Sequence, residues 1–288
     1  MAASARPAST GDLTALLAVS RELFILTGAG VSTGSGIPDY RDAEGRWKQK
    51  PPISYQQFVR SEAVRRRYWA RSFAGWPEVA RARPNAAHFA LARLEQAGRI
   101  RCLVTQNVDG LHQAAGSRAV IDLHGRLDRA TCMTCAVEEP RDDLQRRLAA
   151  ANPEVLARPC ELRPDGDAET AGVDVATFVV APCRVCGGVL KPGFVFFGES
   201  VPGDRVAAAF AALDQADAVL VVGSSLMVWS GYRFARAAVA RGLPLAIVNR
   251  GRTRADPDAT FKVEGSCAEI LSAAVDSLDP APRPASGR

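Results

Sequence analysis

Short, mostly apolar runs recur along this chain, each followed at once by a polar or glycine-rich turn. Leu23-Phe24-Ile25-Leu26, Ile100 to Val104, Ala119 to Leu123, Ala218 to Val222, Leu245 to Val248 and Phe261 to Val263 have the length and continuity of strands buried on both faces. Between and around them the apolar residues step by three and four, which predicts helices over 13–19, 204–214, 232–241 and 268–277. Asn85 is placed to cap a helix running through Glu95 and ending near Gly98. Tyr55 to Ala82 is also helical in pattern, through Phe58, Val59, Val64, Tyr68, Phe73 and Trp76, with Pro77 and Pro84 expected to interrupt it. Alternating strands and helices predict an α/β fold: a Rossmann-like parallel sheet with helices on both faces. Ligands bind such sheets at the carboxyl ends of the strands, beside the point where strand order reverses. The polar clusters 28–42, 105–109, 124, 223–225, 249–251 and 265–267 should therefore converge on one crevice.

The rhythm stops between Arg126 and Leu190, where prolines, a Pro164-Asp165-Gly166 turn and paired cysteines replace it. The expected organisation is a tail and helix at 1–20, a large domain from 21–125 and 191–278 with a helical insertion at about 43–84, a small module at 126–190, and a proline-rich disordered tail at 279–288. Within the module, Cys132-Met-Thr-Cys135 and Cys183-Arg-Val-Cys186 offer four thiolates, a donor set suited to a closed tetrahedral zinc site. With all four ligands from protein, no position is open to substrate, so the site reads as structural. A redox role for one pair is the alternative. Cys160 lies between the pairs and reads as a bystander.

The stretch after the first strand holds Gly28, Gly30, Gly34 and Gly36, with Ser32, Thr33 and Ser35 among them. Glycines let a backbone turn sharply and approach a pyrophosphate closely. The Gly28-x-Gly30-x3-Gly34 spacing is one residue longer than the dehydrogenase fingerprint, and Lys48 stands where an acidic ribose ligand would be expected. A dinucleotide binder other than a hydride-transfer enzyme fits this loop. Gln106, Asn107 and Asp109 place two amides and a carboxylate after the second strand, able to hold a carboxamide or ribose hydroxyl, or to cap a helix. His124, at a strand end, is positioned as a general base. His88 reads as a packing or capping residue and His112 is open to either reading. No serine or cysteine is set in a recognisable triad, so a covalent nucleophile is not indicated.

Composition narrows the classes further. The chain has 288 residues, 47% of them hydrophobic, enough for a sizeable core, and no apolar stretch long enough for a membrane span. The first residues lack a secretion signal, and seven cysteines, an odd count, favour a reducing compartment, the cytoplasm, or the mitochondrial matrix in a eukaryote. The net charge is +5; four lysines leave 32 arginines among 36 basic residues, scattered apart from Arg65-Arg66-Arg67. That distribution describes a solvated surface rather than a nucleic-acid groove.

Taken together, these motifs resemble the sirtuins, NAD-dependent protein deacylases. The matching residues are Gly28-Ala29-Gly30-Val31-Ser32 with Ser35-Gly36-Ile37-Pro38-Asp39-Tyr40-Arg41, Thr105-Gln106-Asn107-Val108-Asp109, Leu123-His124-Gly125 and both cysteine pairs. Lys191-Pro192, Phe197-Gly198-Glu199, Gly223-Ser224-Ser225-Leu226 and Val248-Asn249 complete a set in family order over roughly residues 20 to 275. Arg67 to Arg71 and Gly231-Tyr232-Arg233-Phe234 resemble the class II, mitochondrial-type branch, which bacteria share. Tyr40 stands where many members have phenylalanine, and the family's common proline-alanine ending is missing from Leu226-Met-Val-Trp229-Ser230-Gly231.

The resemblance implies an NAD site made of Gly28, Ala29, Gly30, Thr33, Asp39, Tyr40, Arg41, Gln106, Asn107, Asp109, Gly223, Ser224, Ser225, Asn249, Arg250, Gly251 and Cys267. It implies His124, with Asn107 and Asp109, as catalytic residues, one structural zinc, and an acyl-lysine protein or peptide pairing beside Val195, Phe196 and Gly198. In the implied reaction the acyl oxygen attacks the ribose as nicotinamide leaves, His124 takes a proton from a ribose hydroxyl, and hydrolysis frees lysine and acylated ADP-ribose. Tyr68-x-x-Arg71 has the spacing that receives acidic acyl groups in desuccinylating members, which leaves the acyl preference open between carboxylated or bulky groups and the other reading, a core tyrosine and a surface arginine with no part in selection. The same NAD site would serve a protein mono-ADP-ribosyltransferase, whose product differs. A zinc-ribbon nucleic-acid binder would explain the cysteines and not the strand-end clusters.

Overall fold

In the computed structural model, residues 6–49, 51–155 and 175–278 are described. The chain runs α1 (Thr10–Val19), β1 (Leu23–Thr27), α2 (Tyr55–Arg60), α3 (Glu62–Arg81), α4 (Ala86–Gln96) and β2 (Ile100–Thr105). It continues through α5 (Leu111–Ala114), β3 (Val120–Asp122), β4 (Gly125–Cys132), β5 (Glu138–Pro140), α6 (Arg141–Ala151) and β6 (Leu190–Phe194). The last third holds α7 (Gly203–Leu213), β7 (Ala218–Val222), α8 (Trp229–Ala240), β8 (Leu245–Asn249), β9 (Phe261–Glu264) and α9 (Cys267–Asp276).

The six apolar runs form one sheet in the order β3-β2-β1-β7-β8-β9, parallel throughout. Side chains alternate between its faces, and helices cover both, so β1, β7 and β8 are buried at every position, while β2 exposes Arg101 near its start. Leu23, Ile25, Leu220, Val222, Ala246 and Val248 pack with Leu17, Leu91 and Leu271 from α1, α4 and α9. Phe24, Leu26, Val219, Val221, Leu245 and Ile247 pack with Leu213 and Phe234 from α7 and α8 on the other face. Each such side chain contributes roughly 1.5–3 kcal/mol by leaving water.

A second core joins the helical insertion to the small module. Phe58, Tyr68, Trp69, Phe73 and Trp76 from α2 and α3 pack with Leu127, Phe178, Phe194 and Phe196. The module's sheet has the order β5-β4-β6, with β4 antiparallel to both neighbours. Strand β6 therefore pairs with the small sheet, although the division drawn from composition starts the large domain's second segment at 191. Helix α6, within the cysteine-bearing stretch, has no counterpart in the sequence reading. Cys160, the Pro164-Asp165-Gly166 turn and the 279–288 tail lie outside the described residues.

Pro77 was expected to break the helix, yet α3 passes through it without interruption. Proline removes the N–H that would bond the carbonyl four residues back, which here belongs to Phe73. Gln145 of α6 supplies the missing donor, its Nε2 lying 2.9 Å from Phe73 O. The break falls instead at Ser61, whose hydroxyl caps α3 by accepting from Val64 N at 3.3 Å.

Two histidines are buried together beside the strand ends. The rings of His88 and His112 lie 4.8 Å apart. His88 Nδ1 accepts from Asn85 N at 3.2 Å, which bears out the capping role. Thr27 donates its hydroxyl to Thr105 Oγ1 at 2.8 Å, leaving its oxygen to accept from His112 Nε2 at 2.9 Å. The remaining nitrogens, His88 Nε2 and His112 Nδ1, are buried with no hydrogen-bond partner among the described residues.

Candidate functional site

Strand order reverses between β1 and β7, and the loops that leave these two strands press against each other. Gly28 N donates to Val222 O at 3.1 Å and Gly30 N to Gly223 O at 2.8 Å. A Cβ on Gly30 would sit 2.9 Å from Gly223 Cα and O, and one on Gly28 2.8 Å from Ser224 Cβ, so side chains are excluded at both positions. With these two amides engaged, Ala29 N–H is left without an acceptor among the described residues. A cavity of about 570 Å³ opens over this junction, large enough for an extended ligand.

The strand-end polar clusters meet in its floor. Gln106 Nε2 donates to Ser224 Oγ at 2.8 Å, tying the loop after β2 to the loop after β7. Asn107 Nδ2 donates to Gly28 O at 3.1 Å and to Ser32 Oγ at 3.0 Å. The Ser32 hydroxyl donates in turn to Asp109 Oδ2 at 2.7 Å, and Asp109 Oδ1 accepts from Leu111 N at 2.9 Å. Burial raises the Asp109 carboxyl above its ordinary value; these two hydrogen bonds and the Arg126 charge pull against that rise. Asn249 and Arg250 line the far end, where Asn249 Nδ2 is held by Arg250 O at 2.9 Å and Gly251 O at 3.0 Å.

His124 follows β3 directly and lines the same cavity. Its Nδ1 lies 2.9 Å from Gln106 O and its Nε2 2.8 Å from Ser230 Oγ. A carbonyl only accepts, so Nδ1 carries the proton and Nε2 keeps its lone pair. Burial lowers the imidazole to about 4; the Gln106 carbonyl opposes this, and the charges of Arg233 and Arg205 add to it. At neutral pH His124 is an uncharged ring, oriented at both nitrogens, with a basic nitrogen at the cavity wall.

One wall is aromatic. Tyr40, Trp47 and Phe197 meet edge to face with centroids 5.3–6.0 Å apart, and the Arg41 guanidinium lies 4.2 Å from the Trp47 ring centre. Arg41 also donates to Gly45 O at 2.7 Å, while Asp39 pairs with Lys48. Opposite, Val195, Phe196 and Gly198 form an edge beside Met227 and Val228, with Val195 N bonded to His124 O at 2.8 Å. Part of the lining is apolar, made by Tyr68, Leu127, Phe194 and Phe196, which pack together in the second core.

Most of the residues proposed from sequence thus share one cavity, and four do not line it. Thr33 is exposed, its hydroxyl given to Gly30 O. Gly251 packs on Ala43, where a Cβ would come within 2.5 Å of the Ala43 carbonyl. Cys267 is buried at the start of α9 with its thiol toward Val248 O. Arg71 is half-buried and, unlike Tyr68 one turn earlier, does not reach the lining. The sequence reading missed Ser32 as a hub and Ser230 as a partner of His124. Ser32 lay in plain sight inside the glycine loop. Ser230 gave no signal, because α8 starts at Trp229, three residues before the periodicity predicts, and its cap position, Val228, carries no capping side chain.

Apart from the cavity, Cys132, Cys135, Cys183 and Cys186 gather their sulfurs within 4.8 Å of one another. The Cys132–Cys186 and Cys135–Cys183 separations are 3.5 and 3.7 Å. Zinc–sulfur bonds of about 2.3 Å put tetrahedral sulfurs about 3.8 Å apart, so the four fit one zinc ion. Cys132 and Cys183 are buried and the other two exposed, at the edge of the small sheet. All four positions would be filled by protein, so a zinc ion held here would brace the module and leave the chemistry to the cavity.

The Sir2 family model matches residues 28–230. The chain is 57% identical over 267 residues to an NAD-dependent protein deacetylase of Bordetella bronchiseptica, covering 92% of this chain and 97% of that one. It is 49% identical over 280 residues to NAD-dependent protein deacetylase 1 of Mycobacterium avium, covering 96% and 98%. A solved Sir2–p53 peptide–NAD+ complex aligns with a TM-score of 0.75 at 30% identity, over 94% of this chain and 98% of that one. A Sir2 homologue–NAD complex aligns at 0.73 and 29%, over 96% of both.

Proposed function

The chain belongs to the Sir2 family, and from that premise we propose that it is an NAD-dependent protein deacylase, moving the acyl group of a modified lysine onto ADP-ribose. One observation carries the reading. A neutral, oriented His124 Nε2 shares a single cavity with a glycine cradle that excludes side chains and with the Gln106, Asn107 and Asp109 set.

The residues present fit NAD. Gly28 and Gly30 bring backbone to the cavity surface, Ala29 N–H is an unclaimed donor for a phosphate oxygen, and Ser224, Ser225 and Asn249 supply hydroxyls and an amide toward the second ribose. Asn107 and Asp109 are locked through Ser32, and with both Asn107 amide hydrogens given to Gly28 O and Ser32 Oγ they present the Asn107 amide oxygen and the Asp109 carboxyl as acceptors for a carboxamide N–H or a ribose hydroxyl. NAD, when bound, supplies the ribose carbon that takes the acyl oxygen as nicotinamide departs. His124 accepts the proton of a ribose hydroxyl at Nε2, a role open to it at neutral pH because burial keeps the ring uncharged. The nucleophile comes from the substrate, in keeping with a site that has no triad.

The substrate peptide lies along Val195 to Gly198 as an added strand, its acyl-lysine directed at the apolar part of the lining. Lys191 and Glu199 pair at 2.7 Å, and Glu199 also holds Phe196 N at 2.9 Å, which fixes that edge. Tyr68, Leu127, Phe194 and Phe196 bring no cation to the acyl group, and Arg71 does not line the cavity. This arrangement favours acetyl and other uncharged acyl groups over succinyl or glutaryl, against the carboxylated-group reading of the Tyr68–Arg71 spacing. Four cysteines gathered as thiol ligands rather than disulfides support a reducing compartment, the cytoplasm, or the mitochondrial matrix in a eukaryote; among the described residues no helix is long and apolar enough to cross a membrane.

The test is incubation with NAD and acetyl-, propionyl-, succinyl- and glutaryl-lysine peptides, following nicotinamide release and product mass. Acyl-ADP-ribose and free lysine are expected, fastest with the uncharged groups. ADP-ribose attached to protein, with no acyl-ADP-ribose, would replace this reading with that of an ADP-ribosyltransferase.

A further inference from the structure

Ser230 reaches the site from the first turn of α8, a place where the helix carries no side-chain cap. The residue is buried, and its hydroxyl lies 2.8 Å from His124 Nε2. Gln106 O, 2.9 Å from Nδ1, fixes the proton on that nitrogen, so the bond at Nε2 is donated by the serine. The imidazole is thus gripped at opposite ends by groups from the loop after β2 and from α8. The α8 turn cannot move independently of the rest. A Cβ on the adjacent Gly231 would come 2.4 Å from Gln106 Oε1, and Gln106 is itself tied to Ser224. The charged groups facing the ring are Arg233 on α8 and Arg205 on α7.

We propose that Ser230 is a positioning residue for His124: its hydroxyl holds Nε2 at the cavity wall, as donor while that nitrogen is bare and as acceptor once it has taken the proton of a ribose hydroxyl. The proposal rests on the deacylase reading. Serine suits the task because a hydroxyl both donates and accepts. While Nε2 is bare, the serine donates to it. When the ribose O–H bond breaks and the proton forms a new bond to Nε2, the resulting N–H has the serine oxygen as an acceptor. An alanine here would leave the ring held only at Nδ1, and a fixed donor would oppose protonation.

The role is read first without NAD. Histidine ring nitrogen NMR of the free protein, with the His124 signals assigned through His124→Asn, gives tautomer and titration midpoint. In wild type a single Nδ1–H tautomer is expected, titrating near 4. In Ser230→Ala the midpoint should fall by about one pH unit, because the serine oxygen accepts from Nε2–H of the charged ring and that charge-assisted bond is stronger than the one it donates to the bare nitrogen. The second reading is kinetic. Deacylation by Ser230→Ala should fall about tenfold, whereas nicotinamide exchange, which needs only the bond-breaking that precedes proton transfer, should be retained. A midpoint unmoved or raised in Ser230→Ala would overturn the proposal. So would a parallel loss of exchange and deacylation, which would mark Ser230 as a general support of the fold. Should wild type release no nicotinamide with any acyl peptide, the deacylase reading fails, and the titration still decides whether Ser230 governs His124.

Discussion

Lowering the pH from about 7 to about 5 should destabilise this protein chiefly through the buried pair His88 and His112. Burial pulls His88 down to about 4 and His112 to about 3, the latter helped by the neighbouring His88 ring. Both folded values lie below the ordinary histidine value of 6.5, so the unfolded chain binds protons more readily than the native one. The stability at stake is therefore complete above about pH 6.5 and is lost as the pH falls toward the folded values. At about pH 5 the unfolded rings are mostly protonated and the folded ones are not, which costs about 2 kcal/mol per histidine, or about 4 kcal/mol for the pair. That is a large share of a typical domain stability of roughly 5–15 kcal/mol. His124, also near 4, acts in the same direction. Asp109 and Asp122, raised by burial, bind protons better when folded and oppose the loss as the pH nears the carboxylate range. Urea unfolding followed by tryptophan fluorescence at several pH values measures the slope. The double variant His88→Gln/His112→Gln isolates the pair: it should be less stable at neutral pH, yet lose about 4 kcal/mol less than wild type on acidification. Identical slopes in the two proteins would refute the account, since the pair would then titrate alike folded and unfolded.

Two further outcomes follow from the small module and its neighbour. Cys183→Ser, or a strong chelator, should release about one zinc per chain by elemental analysis and lower the melting temperature, because a thiolate site is assembled only in the folded state; retention of metal by Cys183→Ser would exclude the four-sulfur site. Gln145→Ala should cost about 1–3 kcal/mol by leaving Phe73 O buried without a donor. In a Pro77→Ala background, where residue 77 regains its N–H, the same change should cost measurably less, and equal costs in both backgrounds would mean that Gln145 does not compensate for the proline.

The sequence by itself determined what depends on neighbours along the chain. Strands β1, β7 and β8 were legible because a strand buried on both faces reads as a continuous apolar run, and β2 follows the same rule after its exposed Arg101. The asparagine-capped start of α4 and the glycine loop after β1 were equally local, as were the two C-x-x-C pairs, whose spacing sets two sulfurs around one centre. His124 was legible because a strand end in an α/β sheet points to the ligand side. Only the tertiary structure decided which distant groups complete each of these. Gln145 rescues Phe73 O from 72 positions away, Asp109 is locked by Ser32 across 77, and Ser230 grips His124 across 106. Arg71 and Cys267, plausible by spacing and by strand-end position, do not line the cavity. The physical reason is the same throughout: periodicity and turn chemistry are set within a few residues, whereas hydrogen-bond partners and cavity walls are set by strand order and packing between elements far apart in the chain.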